Sequence, residues 1–271
     1  MDRYEIKPER KFSLGLSELW TAREMCMFFA WRDLRVRYKQ TLLGITWVIL
    51  QPMLMMIAFT FLIGRYEQPG QPVPYMIFAF AGISLYNFFS SGFSGAGTSM
   101  VTNAAIIRKI YFPRLIIPLS SVIVSFIDFL FTIPILIILL WWKGVPVHWE
   151  FLPYVIPGLL LTFLSTCGAG ILVSALNIRY RDFRYIIPFA AQFLLFATTA
   201  VYPSRLITSG WIKTLFSFNP LTASIECYRS FIMGTAPDMN VILCGSSSCI
   251  ILLLAGLLYF KSTERSFADI I

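Results

Sequence analysis

RDLRVRYKQTLLGITWVILQP, residues 32–52, changes character partway along. Its first eight residues hold five charges: Arg32, Asp33, Arg35, Arg37 and Lys39. From Thr41 onward no charge follows until Arg65. A chain that turns from water-seeking to oil-seeking within two helical turns is crossing a membrane surface. Lys and Arg concentrate on the cytoplasmic side of spanning helices, so the same boundary orients the chain.

The totals agree with that reading. Of 271 residues, 57% are hydrophobic and 13% charged, with a mean hydropathy of +0.72. A soluble domain would carry about 25% charged residues. One integral membrane domain therefore accounts for nearly the whole chain. The net charge of +8 does not point to nucleic acid, because the basic residues lie in short clusters between apolar runs. That is the pattern of topology signals and lipid headgroup contacts. The five cysteines form no CxxC pair and read as small apolar fillers. His148, the one histidine, lies in a short loop beside Trp149 and reads as interfacial. The first 40 residues carry charges throughout and no apolar h-region, so the N terminus is expected to stay attached and cytoplasmic.

Residues 1–42 are expected to form a polar tail and then an interface helix. Trp20, Met27, Trp31, Leu34 and Tyr38 recur at helical spacing, with Met25, Phe29 and Val36 opposite. Six spans follow within 43–260: residues 43–64, 75–100, 115–142, 151–176, 185–202 and 239–260, judged against the roughly 20 residues needed to cross. The second span holds Asn87, Ser90, Ser91, Gly92, Gly95 and Gly97, residues that allow close helix approach or line a cavity. Residues 203–238 are too polar and too broken by Pro203, Gly210, Pro220 and Pro237 for a span. Two short re-entrant helices on the outer side fit them better. Residues 261–271 form a cytoplasmic tail. This arrangement puts 17 of the 22 Lys and Arg residues on the inner side.

The inner loop NAAIIRKIYFPR, residues 103–114, mixes Ile106, Ile107, Ile110, Tyr111 and Phe112 with Arg108, Lys109 and Arg114. It reads either as a short helix docking in a protein groove or as a loop resting on the bilayer. In NIRYRDFR, residues 177–184, Asp182 either pairs with an arginine or caps a helix, or the loop is a plain anchor. Asp128 sits deep in the third span, where a carboxylate costs about 2.5–3.5 kcal/mol and needs a partner. It is either a coupling residue or one half of a helix-tying ion pair, and Glu226 poses the same choice. Tyr86, Phe88 and Phe89 either line a cavity or pack normally. The chain has no GxxxxGK[ST] and so no phosphate-cradling loop of its own. It also lacks the convergent acids, nucleophile-base pair or metal cluster of an enzyme.

These stretches resemble the membrane subunits of ABC-2-type exporters for O-antigen, capsular polysaccharide and teichoic acid. RDLRVRYKQTLLGITWVILQP looks like that family's first-span boundary, FAGISLYNFFSSG its second span, and IIRKIYFPRLIIPLSSV its coupling loop and third span. SALNIRYRDFRYIIPF and LLYFKSTERSFADII are similar to its fourth-to-fifth loop and its C terminus. The resemblance implies an all-α polytopic fold with six transmembrane helices, an N-terminal amphipathic interface helix and two re-entrant outer helices. It implies a homodimer in the bacterial inner membrane with both termini cytoplasmic, and two ATP-binding cassette subunits below it. ATP and Mg would be held by those partners, with no cofactor on this chain. The substrate implied is a lipid-linked polysaccharide. Asn103, Ile106, Ile107, Arg108, Lys109, Tyr111 and Arg114 are the coupling candidates. Trp47, Phe59, Tyr86, Phe88, Phe89 and Tyr202 are the channel-lining candidates. The rival readings are an ABC-2 drug or lipid exporter, a membrane-embedded transferase, and an ion-driven carrier.

Overall fold

The structure, a computed structural model, describes residues 20–39, 44–64, 73–110, 112–204 and 210–264. The expected polar tail, Tyr111 and the last seven residues lie outside them. The described residues form helices and connections without a strand. In chain order the helices are α1 Arg23–Lys39, α2 Thr46–Ile63, α3 Tyr75–Thr102, the single turn α4 Ala104–Ile107, α5 Ile116–Leu130 and α6 Ile133–Lys143. Then follow α7 Val155–Arg179, α8 Phe183–Phe196, α9 Gly210–Ser217, α10 Pro220–Met233 and α11 Met239–Thr263. Among the described residues, five stretches are long and apolar enough to cross a bilayer, with α5 and α6 together making one of them and α8 a shorter apolar helix. The chain is a polytopic membrane protein.

α3 is the central helix, packed by α2, α5, α7 and α8. In its most apolar window 78% of positions are buried, against 11% for α2, which lies at the periphery. Lipid does not drive helices together as water does, so close contact rests on small residues. A Cβ on Gly168 of α7 would stand 2.8 Å from the Leu253 backbone of α11, and Gly256 lies against the Gly168 carbonyl. α5 breaks from α6 at residues 131–132, because Pro134, in the first turn of α6, has no N–H to continue the ladder. Thr132 Oγ1 donates to the Phe129 carbonyl at 2.7 Å across that break. Gly144 (φ 63°) and Gly234 (φ 64°) end α6 and α10 in the left-handed conformation.

Two ends can be distinguished by contacts. At one, Asn177 Nδ2 donates to the Gly97 carbonyl at 2.8 Å, and Arg32 donates to Asn103 at 2.7 Å. Arg114 donates to the Glu264 carbonyl there. The basic loops following α3 and α7 gather at this end. At the other end the His148 N–H donates to the Phe231 carbonyl at 2.9 Å, bringing the loop after α6 onto α10.

The fifth span differs from its expected extent of 185–202. α8 stops at Phe196 and covers 14 residues, about 21 Å, short of a hydrocarbon core of about 30 Å. Residues 197–202 are turns and bends. Side chains from elsewhere take up the carbonyls that a longer helix would have used. Arg229 Nη1 donates to Thr199 O at 2.7 Å and Nη2 donates to Ala200 O. Tyr75 donates to Val201 O at 2.6 Å, Asn219 to Ala197 O at 2.9 Å and Tyr202 to Phe196 O at 2.5 Å. Irregular backbone in an apolar setting persists only when its polar groups are met in this way. The 203–238 region holds the two expected short helices, α9 and α10. Asn219 caps α10 by accepting from Leu221 N–H at 3.0 Å.

Gly82 lets the knot close, since a Cβ there would collide with the Arg229 guanidinium and the Ala200 carbonyl. Each carbonyl left bare by an Arg229→Gln change costs about 1–3 kcal/mol. Arg229→Gln and Gly82→Ala are each expected to lower the thermal midpoint of the detergent-solubilised chain. The double variant should be little worse than the poorer single one, because both break one contact. Additive losses in a thermal-melt cycle would show that the two residues act independently.

Candidate functional site

Between α2, α3, α5 and α8 lies a cavity of about 660 Å³. The period of α3 turns Ser84, Asn87, Ser91, Ser94 and Thr98 to this one face. Ser125 and Thr132 add hydroxyls across it, and Gln51 and Trp47 come from α2. Many of these hydroxyls donate to their own helix. Ser84 donates to Ala81 O at 3.0 Å, Thr98 to Ser94 O at 2.9 Å and Ser125 to Ser121 O at 3.1 Å. Their oxygens keep lone pairs to offer. Those three hydroxyls can therefore accept hydrogen bonds from a hydroxylated molecule without leaving bare donors when the cavity is empty. Ser125 and Ser91, 3.2 Å apart, join α5 to α3 on the same face.

Charge enters the cavity from α1 and α5 and from the start of α8. Asp128 accepts from Arg37 Nη1 through Oδ2 and from the Tyr38 hydroxyl through Oδ1. Its partner charge thus comes from α1, not from another span. Arg184, at the start of α8, also lines the cavity. α1 runs alongside α5 in the same sense. Cys26 Sγ lies 3.9 Å from Ile116 O, and Arg37 reaches Asp128 twelve residues farther along α5. The face of α1 that is buried is Phe29 and Ala30. Of the expected stripe, Trp20, Met27 and Trp31 stay exposed, while Leu34 is half-buried and Tyr38 turns inward to Asp128, so the stripe does not form one face toward or away from the bundle. Phe29 falls opposite the stripe and packs on Phe112, ring centroids 5.6 Å apart, which the periodicity did not indicate.

The channel-lining candidates divide. Trp47 and Phe88 line the cavity. Phe59 packs at the margin of the apolar core. Tyr86 is buried and donates to the Ala191 carbonyl, and Phe89 stacks on Phe93 at 5.6 Å. Tyr202 lies at the other end, in the knot around residues 197–202. Phe59, Tyr86, Phe89 and Tyr202 each find a packing partner, a choice that spacing cannot foresee. The hydroxyl-bearing face of α3 was the better signal.

The coupling candidates form one compact unit. Asn103 precedes α4, donates to Ser99 O at 2.9 Å and accepts from Arg32. Ile107 and Phe112 are buried in their own chain and Ile106 is half-buried. Arg108, Lys109 and Ile110 project outward. Arg114 is occupied with Glu264, and Tyr111 lies outside the described residues. Asp128 and Glu226 line different cavities, so the two deep acids are not brought together.

A sequence profile of the family described as ABC-2 type transporter matches residues 25–233. The chain is similar to an O-antigen export system permease protein RfbA of Klebsiella pneumoniae, with 30% identity over 248 residues. That match covers 89% of this chain and 92% of the relative. A protein of the same name from Myxococcus xanthus is 25% identical over 258 residues, 93% of this chain and 97% of that one.

The Arg37–Asp128 pair holds α1 against α5, with Cys26 as a reporter on the same contact. Burial pushes the Cys26 thiol above its usual range, which keeps the reactive thiolate scarce at neutral pH. An Asp128→Asn change is expected to loosen α1 and bring the thiol back toward its ordinary value. In a Cys244→Ser background, maleimide labelling of Cys26 should then rise about tenfold, the equivalent of 1.4 kcal/mol. An unchanged labelling rate would show that the pair does not anchor the helix.

Proposed function

The chain belongs to the ABC-2 type transporter family, and we propose that it is the permease subunit of an exporter that carries a lipid-linked polysaccharide of the O-antigen class across the bacterial inner membrane. The observation that carries the reading is the cavity among the spans, walled by serine and threonine oxygens that suit a polyhydroxylated substrate. The RfbA relatives are named as permease proteins of O-antigen export systems. An exporter of apolar drugs or lipids fits this lining less well. The separation of Asp128 from Glu226 gives a transferase no paired acids.

Two copies of the chain would assemble, with two ATP-binding cassette subunits holding ATP and Mg. The support for a second copy is the exposed apolar surface of α2 and α8, which flank the cavity with Trp47, Leu54, Ile57, Phe189 and Phe193. The end that carries Arg108, Lys109 and Arg179 would be cytoplasmic, together with both termini, by the inside preference of basic residues. There Arg108, Lys109 and Ile110 are the residues offered to the ATPase. α1 would pass its movement on to α5 through Asp128.

Depleting the chain in its native cell should leave lipid-linked glycan accumulating on the inner leaflet, with synthesis intact and surface polymer lost. Normal surface glycan, in a cell without a second exporter, would overturn the reading. For the coupling surface, charge reversal at Arg108 and Lys109 together is expected to abolish co-purification of the ATPase while the chain still inserts. Full recovery of the ATPase with that variant would remove the loop from the interface.

A further inference from the structure

Arg114 belongs to two helices at once. Its backbone opens α5, where the Pro113 and Arg114 carbonyls accept from the Ile116 and Ile117 N–H groups at 3.1 and 3.2 Å. Its side chain leaves α5, and Nη1 donates to the carbonyl of Glu264, the residue that ends α11. The last carbonyls of a helix find no N–H within it, and the negative end of its dipole lies there, so a guanidinium is a fitting cap. The Glu264 side chain turns instead to Lys261 Nζ, at 2.9 Å. The bond from Arg114 therefore runs to the backbone of α11.

The two things that Arg114 joins are held differently. The inner end of α11 is built into the bundle, with Phe260 fully buried and Thr263 buried beside it. Farther along, the backbones of α7 and α11 meet closely at Gly168 and Gly256. The loop before Arg114 is tied at its ends and bare in the middle. Asn103 accepts from Arg32, and Phe112 packs on Phe29 of α1. Between them Arg108, Lys109 and Ile110 are exposed, whereas Arg114 is half-buried. Beyond Arg114, α5 carries Ser125, Asp128, Phe129 and Thr132 into the wall of the cavity. Packed helices shift as rigid units about the contacts that stay fixed. A displacement of the outward residues thus reaches the cavity wall only where the start of α5 has a fixed point to turn on.

We propose that Arg114 is the positioning residue for coupling. It pins the start of α5 to the end of α11, so that a displacement imposed on Arg108, Lys109 and Ile110 turns α5 about this point and is not lost in the loop. It acts within the chain and not on the ATPase. The inference rests on the reading of those three residues as the ones offered to the ATPase.

The test uses the full chain with its ATPase in proteoliposomes and, as probe, lipid-linked glycan extracted from the same cell. ATP hydrolysed and glycan translocated are measured together. Arg114→Met keeps the aliphatic stem and removes the donors. It is expected to keep the ATPase on co-purification and to go on hydrolysing ATP, while glycan moved per ATP falls about tenfold. Arg114→Lys, which restores a charged donor, should recover much of the coupling. Glu264→Ala leaves the carbonyl in place and should couple as the native chain does. The proposal falls if Arg114→Met moves as much glycan per ATP as the native chain, or if Glu264→Ala uncouples as severely. It also falls if Arg114→Met loses the ATPase, or loses hydrolysis and export in equal proportion, since the residue is then an ATPase contact or a support of the fold. Normal coupling in Arg114→Met, with the ATPase lost on charge reversal at Arg108 and Lys109, removes the fixed point alone. An uncoupled Arg114→Met, with the ATPase fully recovered on that charge reversal, removes the docking reading alone.

Discussion

A guanidinium buried among backbone carbonyls governs the architecture at one end of this protein. Arg229 is 5% exposed, and its ring-facing side lies 3.6 Å from the centroid of Phe78. Its Nη atoms hold the carbonyls of Thr199 and Ala200. Without it, residues 197–202 would have two further groups to satisfy in a region poor in water, at about 1–3 kcal/mol each. The simplest escape for such a stretch is to continue α8 as a helix. The arginine makes the alternative tolerable, and the alternative shapes everything nearby. α8 ends early, the chain turns, and α9 and α10 fold back over the turn. Gly82 is the complementary requirement on α3, because only a residue without a Cβ lets the guanidinium reach the turn.

The Arg37–Asp128 pair has the same logic with the roles exchanged. There the buried group is an acid on a spanning helix, and the arginine arrives from α1. A charge in the apolar region is tolerable only with a partner. In both cases the partner comes from a short element outside the spans, so each charge determines where a peripheral helix must sit. Removing Arg37 leaves the Asp128 carboxylate as an uncompensated buried charge, which costs more than the pair itself contributes. Such pairs act as position markers more than as sources of stability. The Arg32–Asn103 contact and the Phe29–Phe112 packing tie α1 to the loop between α3 and α5 as well.

The long helices were legible because membrane insertion imposes a length and an apolar composition that survive in one dimension. α3, α7 and α11 fall within a few residues of their expected limits. The two short helices after residue 203 were legible from their prolines and polarity. What did not show was pairing across the fold. Arg229 in ECYRSF looks like any outer-side basic residue, and only three dimensions reveal that it faces the carbonyls of another segment. Asp128 announced that it needed a partner but not that Arg37 and Tyr38 would supply one. Tyr86 and Phe89 resemble cavity rings in FAGISLYNFFSSG, yet their neighbours Ala191 and Phe93 absorb them. The hydroxyls of α3 were visible as a small-residue run, and the helical period was enough to place Ser84, Ser91 and Thr98 on one face.

The cavity's composition constrains what must lie beside it. Serines and threonines that donate to their own helix are indifferent to whether the space is wet or dry. Gln51, Asn87 and Arg184 are not, since their donors have no such internal outlet and cannot face hydrocarbon cheaply. The space must therefore open on water, on a hydroxylated substrate or on another protein surface. The flanking helices α2 and α8 present Leu54, Ile57, Phe189 and Phe193 outward, and those suit lipid or a packed apolar partner. A single chain in a bilayer would bring the polar wall and the apolar flanks to the same boundary, and that boundary has no single solvent that satisfies both. The second copy proposed above would resolve the conflict: pressed against the flanks, it would cover the apolar rings and enclose the polar wall as an aqueous passage.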